Sequence, residues 1–555
     1  MNCRHFPRRA LAATVLSLFA ASGVHAQAIP DAGRSLRDIE RAPPAPPPRQ
    51  PLGIDLPDAG EAPPAADGRR IAVRAFRFGG NTVFGGDELA ALTADLVGRE
   101  SSLAELQEGM RRIARLYREH GYPLARVWLP PQEVVEGVVR VEVLEGRYGE
   151  VRIGNRAGLR ESALAPLAAL RPGDLVAAGA LERSLLLTRD LNGVEVEAAL
   201  QPGASVGATD LSVEVSPGRR ASGGIEADNF GNRYTGEYRL GVRAELNNPL
   251  GLGDQLSVRA LGTDERQIYG RIGWQGRVGP WATQVGAAYA QMHYELGKDF
   301  ADLDASGRAR IVSVWAMQPL VRSRDFSLFA TVQFDGKRLR DDIDLFGSRN
   351  PKRSRAWSAT LSGNGSDALL GGGLSSFSLA WSRGELDLDD ADRRAVDAAT
   401  ARTQGRFHKL DASLARWQRL AGPFSLYGQL EGQWADGNLD GSEKMTLGGA
   451  HGVRAYPQGE AAGDQGWLAR LEVRYAFAPG WQLAAFADHG EVRSNKDSWA
   501  AGRRHRQLSG TGLGVSWADG RWSVQLSAAW KIGSEAAESG PERSPRGWIQ
   551  MARQF

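Results

Sequence analysis

Tyr238-Arg239-Leu240-Gly241-Val242-Arg243-Ala244-Glu245-Leu246 is the stretch whose reading decides the fold. Successive side chains of an extended chain point to opposite faces, so Tyr238, Leu240, Val242, Ala244 and Leu246 share one face and Arg239, Gly241, Arg243 and Glu245 the other. The same alternation returns in Phe424–Trp434, in Trp467–Phe477 and in Trp522–Lys531. Arg and Glu on an inward face are ruinous in a dry sandwich core but suit a water-filled lumen. The pattern therefore predicts a mainly β chain whose residues 219–555 form a transmembrane β-barrel. At roughly 20 residues per strand and connection, that stretch holds about sixteen strands. The last runs from Trp548 to Phe555, and the longest insertion lies between Trp434 and Trp467. An even strand count puts both barrel ends on the periplasmic side.

The rest of the chain fits export to that compartment. Residues 1–26 carry Arg4, Arg8 and Arg9, an apolar run from Ala10 to Ala21 and Val24-His25-Ala26, the layout of a secretory signal peptide. The one cysteine, Cys3, lies inside it, so the mature chain is expected to lack disulfides, thiolate metal sites and cysteine nucleophiles. Within residues 27–42, Arg34–Arg41 reads as a short mixed-charge helix, and the prolines of 43–70 make a semi-rigid extended linker. From 71 the texture is globular. Strand Ile71–Phe78, helix Asp87–Val97, a helix opened by the capping box Ser102-x-x-Glu105 and closed at Gly121, and strands Leu124–Leu129 and Val138–Leu144 make one β-α-α-β-β unit over 71–146. The order repeats over 147–218 with strand Glu150–Ile153, helices Glu161–Leu170 and Ala180–Leu191, and strands Val194–Leu200 and Asp210–Val215.

Composition and motifs exclude several functions. Lys and Arg total 68 against 65 Asp and Glu, a net charge of +3 with no concentrated basic stripe, which argues against a nucleic-acid partner. The eight histidines show no His-Glu-x-x-His spacing, no serine sits in a nucleophile elbow and no Walker loop is present, so no catalytic residue, cofactor or metal ligand is assigned and the chain reads as a non-enzyme. Asp436-x-Asn438-x-Asp440-Gly441 copies the start of a calcium loop, but Leu447 stands where the bidentate Glu belongs. The acidic run Asp387-x-Asp389-Asp390-x-Asp392 reads as a solvated loop, and Trp467, Trp522 and Trp548 as interfacial girdle residues.

Two further motifs carry a family resemblance. Gly448-Gly449-Ala450-His451-Gly452-Val453-Arg454-Ala455-Tyr456-Pro457 resembles the tip of the sixth extracellular loop of the two-partner secretion outer-membrane transporters, the haemolysin activation/secretion protein family, and Phe486-Ala487-Asp488 resembles the Phe-x-Asp pattern of that family's thirteenth barrel strand. The family belongs to a wider superfamily that includes the outer-membrane barrel-assembly insertases. The resemblance implies that residues 71–146 and 147–218 are two periplasmic POTRA domains, that 27–42 is a plug helix in the lumen, and that the loop motif Val453, Arg454, Ala455 and Tyr456 folds back into the barrel so that Arg454 pairs with Asp488 beside Phe486. Ala455 stands where the family usually has glycine. Phe555 resembles the C-terminal signal read by the barrel-assembly machinery. The implied function is capture of an unfolded exoprotein (an adhesin, a haemolysin or a contact-dependent inhibition toxin) and its passage through the outer membrane without nucleotide. The alternatives are an assembly factor or insertase of the same superfamily and a passive diffusion porin.

Overall fold

The computed structural model describes residues 30–40, the backbone of 54–55, residues 70–499 and residues 504–555. The expected signal peptide and almost all of the proline-rich linker lie outside them. Sixteen antiparallel strands, from Ala221–Asp228 to Arg546–Gln554, close on one another as a barrel. Closure matters physically, because an open sheet edge in lipid leaves unpaired peptide groups with no water to satisfy them. The alternation sorts as the residues demand: Tyr238, Leu240, Val242 and Leu246 are exposed on the outside, while Gly241 and Asn247 face inward. No helix among the described residues is long and apolar enough to cross a membrane. The middle strands are the longest, with Ser348–Asp367 spanning 20 residues, about twice what a bilayer requires. They project well beyond the membrane, whereas the closing strand Arg546–Gln554 has 9 residues.

Before the barrel stand two small α/β units with the same sheet order. In the first, Ala75–Gly79 lies parallel to Val138–Leu144, which pairs antiparallel with Arg126–Trp128; Leu89, Met110, Ile113, Tyr117, Val141 and Val143 form the core. Ser102 and Glu105 cap helix Leu103–Glu119 reciprocally, and Gly121 takes a φ of +87° just past its end. In the second, Arg147–Asn155 lies parallel to Ala208–Pro217, which pairs antiparallel with Val194–Pro202. The outer edge of Val194–Pro202 is itself covered, because Ile54–Asp55 pairs with it in parallel at Ala198 and Ala199.

Some expected elements are shorter. Strand 71–78 breaks at Val73 and Arg74, whose N–H groups bond the carbonyls of Arg99 and Gly137 instead of a ladder. Helix 87–97 stops at Ala91 and resumes as a 3₁₀ turn, Ala94–Leu96; Thr93 caps the break by donating its hydroxyl to the Ala90 carbonyl. Helix 161–170 is divided into Glu161–Ala163 and Ala165–Ala168. The acidic run at 387–392 is not a simple loop: Asp390 accepts from Asp392 and Arg393 N–H groups and caps helix Ala391–Ala399.

Helix Ala32–Glu40 sits inside the barrel. Asp31 accepts from the N–H groups of Gly33 and Arg34 at its start. Ala32, Leu36 and Ile39, one helical face, pack on Tyr269, Met292, Tyr294 and Ile311 of the barrel wall. Polar side chains flank that face: Arg37 donates to Gln433 at 3.0 Å and to the Lys444 carbonyl, and Glu40, one turn after Leu36, accepts from Tyr269 at 3.1 Å.

Candidate functional site: the inward loop and its wall contacts

The insertion between the eleventh strand, Phe424–Ala435, and the twelfth, Gln465–Ala478, folds down into the lumen. Its bend is made by glycine. A Cβ on Gly452 would stand 1.9 Å from the Leu447 carbonyl oxygen, and Gly449 takes a φ of +119° that other residues rarely adopt. The Val453 N–H then donates to that Leu447 oxygen at 2.7 Å, tightening the turn. Met445, Leu447, Val453, Ala455 and Tyr456 bury themselves against Leu468, Phe486, Val492 and Leu508 of the wall.

Arg454 is the centre of the contact. Its guanidinium donates from Nε and Nη2 to the two oxygens of Asp488 at 2.8 and 2.7 Å, and its backbone N–H adds a third bond to Asp488 at 3.1 Å. Asp488 lies on the thirteenth strand, Trp481–Arg493, on the same face as Phe486, and the guanidinium carbon stands 3.4 Å from the centre of the Phe486 ring. Arg454 is 5 % exposed and Asp488 2 %, so the fork is shielded from water, where charge-assisted bonds are strongest. The third guanidinium nitrogen, Nη1, donates to Glu472 at 2.7 Å, and Arg474 donates to the other Glu472 oxygen. Two cations and two carboxylates thus balance one another in a buried cluster, which avoids the cost of an unpaired interior charge.

Ala455 does not take a positive φ, so alanine carries no backbone strain there. Its methyl group lies against Gly510, where an added Cβ would come within 2.7 Å of it. Tyr456 donates its hydroxyl to the Glu535 carbonyl at 3.2 Å, tying the motif to the last extracellular connection. Glu460 extends that tie: it accepts from Arg506 at 2.6 Å and from the Ser539 N–H at 2.7 Å. The residues of the calcium-like run are all used within the protein. Asp440 pairs with Lys352 at 2.8 Å, Asn438 bonds the carbonyls of Ala401 and Asp497, and Asp436 accepts from the His408 N–H. Glu443 pairs with Lys337 and Lys409 at 2.6 and 3.1 Å.

Two participants were not assigned to this contact from the sequence. Glu472 lies among the polar residues of Trp467–Phe477, and only the fold shows that it comes within reach of Arg454. Trp548 corrects an expectation: it is not a girdle residue but is buried in the lumen, where its indole N–H donates to the Arg454 carbonyl at 2.7 Å. Its phase contained the signal, since Trp548 shares a face with Gln550 while Ile549 and Met551 point out. Trp467 does face outward. Phe555 is exposed and exchanges two backbone bonds with Gly223, closing the barrel at its periplasmic end. Every polar group of the cluster is spent on holding one segment against another. Among the described residues there is no grouping of three or more His, Cys, Asp or Glu suited to a metal ion.

Known proteins share this layout. The family model described as haemolysin secretion/activation protein ShlB/FhaC/HecB matches residues 207–517, more than half of the chain, and the ShlB-type POTRA domain model matches residues 71–146. The heme/hemopexin transporter protein HuxB of Haemophilus influenzae strain 86-028NP is 28 % identical over 480 residues, covering 84 % of each protein. The outer membrane transporter CdiB of Dickeya dadantii is 26 % identical over 490 residues, again 84 % of each. The solved structure of CdiB from Escherichia coli superposes over 100 % of both chains with a TM-score of 0.73 at 19 % identity, a likeness of fold. With its closed sixteen-stranded barrel, its POTRA-type unit and a family match over more than half its length, the chain belongs to the haemolysin secretion/activation protein family ShlB/FhaC/HecB, the outer-membrane transporters of two-partner secretion.

Proposed function

We propose that this transporter captures one large secreted exoprotein, unfolded, in the periplasm through two POTRA domains, residues 71–146 and 147–218, and passes it through the barrel to the cell surface. No nucleotide is consumed; folding of the client outside supplies the direction. The observation that carries this reading is the occupied lumen. Helix Ala32–Glu40 is held across the pore by a small apolar face and a few polar bonds, such as Arg37 to Gln433 and the Ala32 N–H to Asp341 at 2.8 Å. Such an occupant is displaceable without disturbing the ladder of the wall. A passive porin has no use for it, nor for two folded periplasmic units.

Capture by strand addition needs a free sheet edge, because main-chain hydrogen bonds make few demands on client sequence. In the first unit the two outer strands, Ala75–Gly79 and Arg126–Trp128, each pair on one side only within their sheet. In the second, the Val194–Pro202 edge already carries Ile54–Asp55 and the start of Arg147–Asn155 is bonded to Gly173–Val176, which leaves residues 150–155. These edges are the proposed client sites. Arg454, held by Asp488 and Glu472, locks the inward loop at rest, and Phe555 is the proposed assembly signal. A relative named hemolysin transporter protein HpmB supports a protein as cargo, here of the adhesin, haemolysin or contact-dependent inhibition kind.

Deletion of the gene followed by proteomics of the medium and the outer membrane tests the proposal. One exoprotein should vanish from the medium while other outer-membrane barrels stay at normal level. Broad loss of barrels would instead make the protein an assembly factor.

A further inference from the structure

The barrel has one weak join. Elsewhere, neighbouring strands share eight to eighteen registered residue pairs, but the first and last strands share five, from Gly224 with Gln554 to Asp228 with Gln550, extended only by the Gly223–Phe555 bonds at one end and the Asn229 N–H to the Ile549 carbonyl at the other. Since ladder bonds are what hold a strand pair together in lipid, this seam is the pair most easily parted. Its extracellular end is reinforced by side chains. Asn229 imitates a strand residue, accepting from the Ile549 N–H at 2.9 Å and donating to the Gly547 carbonyl at 3.0 Å.

Just beyond, the inward loop touches both sides of the seam at once. On the side of the last strand, Trp548 donates to the Arg454 carbonyl. On the side of the first strand, the ring of Phe230 meets that of His451 edge-on at 5.3 Å, and Asn232 donates to the Gln458 carbonyl at 3.1 Å. Phe230 and Trp548 in turn meet each other across the seam, 5.9 Å apart and edge to face, in a buried cluster with Ala450 of the loop. Arg454 therefore anchors in two directions. Its side chain holds the wall at the twelfth and thirteenth strands, and its carbonyl holds the sixteenth.

We propose that Trp548 is a positioning residue that makes the loop tip a staple of the seam: while Arg454 is docked, the first and last strands are held together, and its release frees their extracellular end to part. The link runs through one hydrogen bond and one ring cluster, so loss of the Arg454 ion pairs is felt by strands that neither Asp488 nor Glu472 touches. The claim concerns the barrel itself, and its test reads the barrel and not transport.

The test is hydrogen–deuterium exchange of the purified full-length protein, followed at 224–228 and 550–554, with strand Phe326–Ile343 as internal reference. Trp548→Phe keeps a ring against Phe230 and removes only the N–H donor; exchange at the seam should quicken about tenfold, the order expected for one lost buried hydrogen bond. Arg454→Ala, remote from the seam ladder, should quicken the same amides, and the double variant should be no faster than the faster single one, because both break one linkage. The reference strand should not change. A cysteine pair introduced into the cysteine-free mature chain at the registered positions Ala227→Cys and Met551→Cys should, when oxidised, restore slow exchange in both variants. If Arg454→Ala leaves the seam as slow as in the native protein, or if the effects of the two substitutions simply add, the loop is no staple and the proposal fails.

Discussion

Arg454 is asked to do what lysine does not. Its planar fork meets both oxygens of Asp488 while a third nitrogen reaches Glu472, and a point charge on a flexible stem matches neither geometry. Arg454→Ala leaves the Asp488 carboxylate unpaired in a buried site while Glu472 keeps Arg474, a penalty of about 3–5 kcal/mol borne by loop docking, since the wall keeps its own ladder. We expect secretion to be abolished, Arg454→Lys to recover little of it, and heat-modifiable migration of the folded barrel to persist; assays of medium and of unheated gels check each part. A second residue carries a pH signature outside the membrane. Glu145 is buried, which pushes its carboxyl up, but bonds from the Thr82 hydroxyl, the N–H groups of Val83 and Thr82 and the Tyr117 hydroxyl outweigh that and hold it below the ordinary carboxylate range. A depressed folded-state value means that this stabilisation is complete above about pH 4.3, the unfolded value, and is lost as pH falls through the lower folded value. Protection from hydrogen exchange across 71–146, taken relative to the intrinsic amide rate at each pH, should therefore fall in acid, and Glu145→Gln should remove that dependence while costing about 1–3 kcal/mol at neutral pH.

Helix Ala32–Glu40 owes its seat to two glycines. A Cβ on Gly33 would lie 2.3 Å from the Cβ of Ser442, and one on Gly441 would lie 2.3 Å from an Asp31 oxygen, so the helix and the base of the loop meet backbone to backbone. Gly33→Leu cannot be absorbed by a rotamer change at Ser442, which is short and buried. The helix should leave the lumen, and planar-bilayer conductance should rise at least several-fold over the native protein, with the barrel unchanged on gels. Closing of the pore by this helix is thereby tested separately from its presence in the chain. The helix was legible from its charges and length, although its start at Ala32 was not, because the cap belongs to Asp31 and the apolar partners belong to strands hundreds of residues away. The shortened helices of the two small units escaped for the opposite reason: their apolar spacing continues while a local competitor, such as the Thr93 hydroxyl, takes the backbone bond.

The second small unit is fastened to the barrel by charge. Asp190 receives two bonds from Arg322, at 2.7 and 2.8 Å, and Arg183 donates to the Pro319 carbonyl at 3.0 Å, all beside the periplasmic turn between the sixth and seventh barrel strands, Ala305–Arg322 and Phe326–Ile343. The pair is partly open to water, so it contributes about 1 kcal/mol and yields to salt. Asp190→Arg should loosen this docking, Arg322→Asp should do the same, and the two together should restore it, read as cross-linking yield between Ala178–Arg189 and the turn.

The amino-acid order alone determined the barrel, its strand number and the place of the long insertion, because a period of two with one oily and one charged face admits a single environment, lipid outside and water within. It also determined that Phe486 and Asp488 share a wall face. Tertiary structure alone decided that Glu472 joins Asp488 around Arg454, that Trp548 turns inward to the loop, and that Ile54–Asp55 covers a sheet edge. Those contacts join segments far apart in sequence, and no local periodicity records which of many inward polar side chains a folded loop will reach.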